Sequence, residues 1–256
     1  MLTVENLAKE FDGLTAVNDL NFTVEPNTIS GLIGPNGAGK TTTFNMIAGH
    51  LKPSSGKIYF DGKEITNLRP HQTFQLGIVR TFQIPRPFSG MTVLENLTMV
   101  PRNQIGEKIW NNWLRNNAVA REEQQIREKA NGLLEFLNLS DLQNDYSGNL
   151  SGGQLKLLEL GRALMSDPKV ILLDEPAAGV NPTLLEEIID RIRDIHSQGV
   201  TFLIIEHNME LVMRLCSSIL VMAEGDILMR GAPEEIRSDP RLIDAFLGGG
   251  TSLKND

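Results

Sequence analysis

Three short stretches of this 256-residue chain place together residue types that handle phosphate and protons. The first, Gly34-Pro35-Asn36-Gly37-Ala38-Gly39-Lys40-Thr41, fits the pattern G-x-x-x-x-G-K-[S/T]. In such a loop Gly34, Gly37 and Gly39 let backbone N–H groups curl around a β-phosphate, with Pro35, Asn36 and Ala38 completing the cradle. Lys40 reaches the β- and γ-phosphates, the Thr41 hydroxyl ligates Mg²⁺, and Thr42 hydrogen-bonds the α-phosphate. The pattern arises by chance in about one per cent of chains with this much glycine. Here an apolar stretch precedes it and a helical pattern follows, which is the context it demands.

The second stretch is Val170 to Leu173, four apolar residues followed by Asp174 and Glu175. Its shortness reads as a buried strand whose carboxylates stand where the chain leaves the sheet, the place where open parallel sheets bind ligands. Asp174 then faces Mg²⁺ through water, and Glu175 accepts a proton from an attacking water molecule. Val200 to Ile205 repeats the logic, with His207 just past the strand end as a γ-phosphate contact. His50, His71 and His196 lack that placement. Val79 to Gln83 is strand-like and ends in a side chain able to reach Mg²⁺ or water, although glutamine alone says little.

The third stretch is Asn149 to Leu164, NLSGGQLKLLELGRAL, a helix pattern that opens on two glycines. Ser151 and Gln154 form a capping box, which accounts for those two residues but not for Gly152 and Gly153. Glycine inside a helix costs about 1 kcal/mol against alanine. It also lets a group approach the backbone, and a helix start with free N–H groups suits an anion.

The elements that must hold these groups are legible in outline. Residues 1 to about 33 read as short strands, and Asp61-Gly62 marks a hairpin turn, so about 1–33 and 57–66 form an antiparallel part. A helix follows Gly39. From about 100 to 165 the apolar residues recur three and four apart, which predicts an inserted helical region containing the third stretch and Trp110 and Trp113. Tryptophans three apart on a helix ordinarily pack a core; the alternative is a surface facing a membrane partner. Strands then alternate with helices, which implies an α/β fold around a mostly parallel sheet covered on both faces. Residues 234–256 read as a helical tail with a mobile end.

Composition narrows the partners. The chain carries 32 acidic and 24 basic residues, a formal charge of −8, which argues against nucleic acid. Cys216 is the only cysteine, so no disulfide framework or cysteine metal cluster is available. No apolar run approaches the roughly 18 residues of a membrane span, and the N-terminus lacks a signal peptide's apolar stretch. The expectation is a cytoplasmic chain; if a membrane matters, other subunits supply the span.

These pieces, in this order, resemble the ATP-binding cassette (ABC) ATPases. The phosphate loop at 34–41, Gln83, LSGGQ at 150–154, VILLDE at 170–175 and His207 span nearly the whole chain. The resemblance implies a single nucleotide-binding domain, 1–256: a P-loop NTPase core with an N-terminal antiparallel β subdomain and an inserted helical subdomain. It implies ATP and Mg²⁺ as ligands, with Thr41, Gln83 and Asp174 around the metal, and Glu175, His207, Gln83 and Lys40 catalytic. Members are similar in forming head-to-tail dimers, so Ser151, Gly152, Gly153 and Gln154 of one copy would close over ATP held by the other. Phe11 stands where the family usually stacks a tyrosine on adenine; the ring face is kept. Asn181 replaces the usual aspartate after the acidic strand, which puts its contact across the dimer in doubt.

Arg80-Thr81-Phe82-Gln83, Pro87 to Leu97, the polar insert, Ala177 to Pro182 and the tail look like the ATP-binding component of branched-chain amino-acid uptake systems. Asn208 stands where many such proteins have aspartate. The resemblance implies an importer motor: a second, homologous or identical ATPase subunit, two membrane permeases and, indirectly, a solute-binding protein. Cargo would be branched-chain or other neutral amino acids, or amide- and urea-like solutes. The segment Ile84 to Met91 would dock a short helix of the permease. The rival reading is a soluble cassette ATPase acting on DNA or ribosomes, but no long coiled coil or second cassette is present.

Overall fold

A computed structural model describes residues 1–81, 85–102, 104–107 and 116–247. The chain divides into two compact units. The first comprises residues 1–80, 169–177 and 192–256; the second comprises 81–168 and 178–191.

The first unit contains two sheets. Strands β1 (Leu2–Phe11), β2 (Leu14–Val24), β4 (Ser55–Phe60) and β5 (Lys63–Glu64) form an antiparallel sheet in the order β2-β1-β4-β5. The β4–β5 turn has Asp61 at φ 49° and Gly62 at φ 76°, the two positive angles that a two-residue type I′ hairpin requires.

The other sheet has the order β10-β9-β3-β8-β7-β6. It is built from β3 (Ile29–Ile33), β6 (Ile78–Arg80), β7 (Val170–Asp174), β8 (Thr201–Ile205), β9 (Ser218–Ala223) and β10 (Asp226–Gly231). All neighbours in it run parallel except the β9–β10 hairpin. Strand β3 therefore departs from its expected place in the antiparallel part. All five of its residues are buried, as befits a central parallel strand with both faces covered.

One apolar cluster joins the two sheets through helix α1 (Lys40–Ile47). Alternate residues of the parallel strands enter it: Val170 and Leu172, Leu203 and Ile205, Leu220 and Met222. They meet Phe44 and Ile47 of α1 and Leu7, Leu20, Phe22 and Ile58 of the antiparallel sheet. The period-2 alternation of a strand thus fastens β3, β8 and β7 side by side with their C-terminal ends at one edge. Helix α2 (Pro70–Leu76) leads into β6, and α7 (Met209–Leu215) follows β8. The C-terminal tail is two helices, α8 (Pro233–Ser238) and α9 (Pro240–Leu247). They break at Asp239, where the following proline disfavours helical backbone. The expected mobile end lies outside the described residues.

The second unit is helical: α3 (Val93–Thr98), α4 (Asn116–Phe136) and α5 (Gly152–Met165), plus the first part of α6 (Pro182–Ser197). It starts earlier than the pattern indicated because the loop before α3 is tied down. Fully buried Asn96 donates to the carbonyls of Phe88 and Thr92 and to Ser147 Oγ, and accepts from Phe88 N–H. It also takes in residues 178–191, where Glu187 accepts from Asn138 at 2.7 Å and Arg191 lies 4.9 Å from the Phe136 ring centre. Trp110 and Trp113 lie outside the described residues.

Candidate functional site

The phosphate loop links β3 to α1. Gly34 has φ 148°, and a Cβ there would lie 2.0 Å from the Met222 carbonyl oxygen, so only glycine fits. At Gly37, φ is 82° and a Cβ would meet nothing within 4 Å: the loop's outer turn faces open space. Helix α1 follows Gly39 as its N-cap, with no side-chain cap and no acidic residue in its first turn. Its first N–H groups therefore point out without an internal acceptor from a side chain, which is the arrangement that favours an anion.

Lys40 is 5% exposed, and its ammonium donates to the Gly34 and Pro35 carbonyls at 2.8 Å each. An ammonium has three protons, so one remains for a phosphate oxygen. Burial pulls its pKa below the ordinary lysine value, while nearby Glu175 and Asp174 oppose that shift. The charge of Lys40 is thus felt by both residues of the acidic strand end. Thr41 is exposed and Thr42 half-buried at the helix start, while Thr43 turns inward to donate to the Gly39 carbonyl at 3.0 Å.

Asp174 ends β7 and is 6% exposed. Its Oδ2 accepts from Arg80 at 3.0 Å, and Arg80 also donates to the Asn45 side chain on α1. This buried ion pair ties the ends of β6 and β7 to the helix of the phosphate loop. Glu175 follows with φ 50°, left-handed backbone that costs a non-glycine residue about 1–3 kcal/mol. Such strain persists only where the surroundings enforce it. Its N–H donates to Ile205 O at 2.9 Å, and its carboxylate stands 3.2 Å from His207 Nε2. Lysine, aspartate, glutamate and histidine thus collect at one sheet edge. The oxygen donors there, a threonine hydroxyl and a carboxylate, are those a small hard cation such as Mg²⁺ prefers.

In the helical unit, Ser151 caps α5 reciprocally with Gln154: Gln154 N–H donates to Ser151 Oγ at 3.3 Å, and Ser151 N–H to Gln154 Oε1 at 2.8 Å. The two glycines after it differ. Gly152 is exposed and a Cβ there would meet nothing within 4 Å. Gly153 is buried, and a Cβ there would sit 1.7 Å from Leu184 Cδ2. Gly152 thus has open space where a side chain would stand, whereas Gly153 has a packing reason inside its own unit.

Comparison with known proteins is decisive on family. The family described as "ABC transporter" matches residues 17–178. The chain belongs to the ABC transporter family. It is 46% identical over 252 residues to an Archaeoglobus fulgidus protein called probable branched-chain amino acid transport ATP-binding protein LivG, covering 97% of this chain and 95% of that one. It is 39% identical over 251 residues to the Escherichia coli high-affinity branched-chain amino acid transport ATP-binding protein LivG, covering 97% and 98%. An ATP-binding cassette of an ABC transporter solved in its ADP conformation superposes with a TM-score of 0.82 at 40% identity, over 97% of this chain and 98% of that one.

As an ABC protein the chain has several further features placed by the structure. Phe11 ends β1, 42% exposed, with Lys9 Nζ 5.0 Å from its ring centre. Asn181 caps α6 by accepting from Leu184 N–H at 2.9 Å, a local role that any short side-chain acceptor fills. Gln83 and Ile84 lie outside the described residues; in the rest of Ile84 to Met91, Phe88 is exposed under Arg162, 5.4 Å from its ring centre.

Three residues at the site escaped the pattern reading: Arg80, Asn45 and Glu206. Arg80 and Glu206 each carry a charge at the end of a buried strand, the same signal that marked Asp174. Glu206 is 2% exposed, and its carboxylate accepts from the backbone of Ala177, His207 and Asn208. No helix among the described residues is long and apolar enough to cross a membrane.

Proposed function

We propose that this ABC protein hydrolyses ATP to energise an importer, with branched-chain or related neutral amino acids, or amide- and urea-like solutes, as cargo. The observation that carries the reading is the convergence of Lys40, Asp174, Glu175 and His207 on the C-terminal edge of one parallel sheet, beside an uncapped helix start. The cargo class rests on the names of the relatives and on the resemblance of the whole chain to them.

In this reading the α1 amides and Lys40 bind the phosphates and Phe11 stacks on the base. Glu175 takes a proton from the water that attacks the γ-phosphorus as the bond to the ADP oxygen breaks. His207, whose Nε2 lies 3.2 Å from Glu175 Oε1, touches the γ-phosphate. Mg²⁺, when bound, neutralises charge developing on the phosphates; Thr41, Asp174 through water, and Gln83 would hold it.

The second half of each site comes from another copy or a homologous subunit. Ser151, Gly152 and Gln154, with the buried Gly153 behind them, present the tip of α5 to the partner's triphosphate. Two permeases supply the membrane span, a binding protein supplies the cargo, and the chain sits peripherally on the cytoplasmic face. A shared site makes a direct test possible. Turnover per chain should rise with protein concentration and then level off as dimers form; a rate per chain that is constant down to dilutions where only monomer exists would refute the sharing. With its permeases in vesicles, the ATPase rate should rise with binding protein plus a neutral amino acid and not with an acidic one.

A further inference from the structure

Glu206 belongs to no motif that marks the family resemblance, yet it is only 2% exposed. Its Oε1 accepts from Ala177 N–H at 2.7 Å, and its Oε2 accepts from His207 N–H at 2.9 Å and Asn208 N–H at 3.0 Å. One oxygen therefore holds the backbone two residues past Glu175, and the other holds the backbone of His207 itself. A second bridge lies alongside, from Glu175 N–H to Ile205 O at 2.9 Å. Together they bind the ends of β7 and β8 on either side of the left-handed turn at Glu175.

We infer that Glu206 is a positioning residue: by accepting three backbone N–H groups it fixes the distance between the Glu175 and His207 side chains. The reason is geometric. Glu175 Oε1 and His207 Nε2 are 3.2 Å apart, and each side chain hangs from a segment that leaves its strand. Parallel pairing holds the two strands only as far as Asp174 and Ile205. Beyond that point the Glu206 carboxylate joins both segments. A buried carboxylate needs such donors, and ionised acceptors make the stronger hydrogen bonds, so the arrangement satisfies Glu206 as it orders the loop. This inference rests on the assignment of Glu175 and His207 to hydrolysis.

The test uses the full-length chain, with kcat and KM for ATP measured separately. Glu206→Gln keeps the volume but turns one acceptor into a donor facing an N–H. It should lower kcat by about 10- to 100-fold, the cost of displacing a catalytic group by about an ångström, with KM within about twofold. Glu206→Asp keeps the charge but is one methylene shorter; it should keep the local amides, lose Ala177 and lower kcat as well, providing a second route if the glutamine variant folds poorly. In a His207→Ala background, Glu206→Gln should cost much less than it does alone, because the group it positions is gone. Unchanged kcat in either folded variant would overturn the inference. So would a rise in KM matching the fall in kcat, or costs that simply multiply in the double variant. Full activity of His207→Ala would instead overturn the role of His207 in hydrolysis, and the inference with it.

Discussion

The two units carry their chemistry in opposite ways. In the sheet unit the reactive groups are knitted to groups of that same unit: buried Lys40 to its own loop, buried Asp174 to Arg80, and the more exposed pair Glu175 and His207 to each other. In the helical unit Ser151 and Gly152 stand exposed at a helix tip, with the Ser151–Gln154 capping pair beside them and Leu184 against Gly153 behind. The contrast fits the proposed division of labour, in which one surface would hold the nucleotide and the other would meet a nucleotide already held. Changes in the first unit should alter binding and chemistry within a subunit, whereas changes at the helix tip should spare both until a second subunit arrives.

Glu175→Gln should break the first half most severely. Removing a general base costs about 10²–10⁴-fold in turnover. Because the proton acceptor is lost without loss of the phosphate loop, ATP should still bind and the dimer should accumulate; gel filtration with ATP that shows monomer alone would contradict the assignment. Ser151→Arg should suppress turnover comparably while leaving ATP affinity of the isolated chain unchanged, which equilibrium titration with a fluorescent nucleotide would read. Retained turnover would dissolve the contrast between the units.

Arg80→Met removes the guanidinium 3.0 Å from buried Asp174 and should cost up to about 3–5 kcal/mol of unfolding free energy in urea. Lys40→Ala removes charge-assisted hydrogen bonds worth about 1.5–3 kcal/mol, weakening ATP binding about 10- to 150-fold. The smallest effects sharpen the comparison within the helical unit itself. Gly153→Ala pushes a methyl into Leu184 and should destabilise by about 1–3 kcal/mol, partly offset by alanine's better helix propensity. Gly152→Ala, in open space, should change stability by less than about 0.5 kcal/mol and yet reduce turnover. Equal stability effects at the two positions would show that the packing distinction has no energetic weight.

Much of this was legible from residues alone because the informative features are local. A loop that must cradle phosphate needs glycines, a lysine and a threonine at fixed offsets, and a buried strand that ends in carboxylates announces itself by its apolar run. Asp61-Gly62 declared its hairpin because few residues tolerate two successive positive φ angles. Misplacements came where pairing, not pattern, decides. Strand β3 has the same apolar character whether it joins an antiparallel or a parallel sheet, and its partners β8 and β9 lie more than 160 residues away. Residues 178–191 carry an ordinary helix pattern, and only tertiary contacts, such as those with Phe136, Asn138 and Gly153, assign them to the helical unit.

The sequence by itself determined the chemistry on offer: which residues are suited to phosphate, which to taking a proton, and which helix starts on two glycines. Short-range steric and hydrogen-bonding rules suffice for that, since each motif lies within a few residues. Only the tertiary structure decided which charges are spent on one another. Arg80 reaches Asp174 across 94 residues and Glu206 reaches Ala177 across 29, and it separated the glycine that packs from the glycine that is open. Those distinctions depend on which side chain fills the space beside a given atom, and that is set by the packing of distant segments into one core.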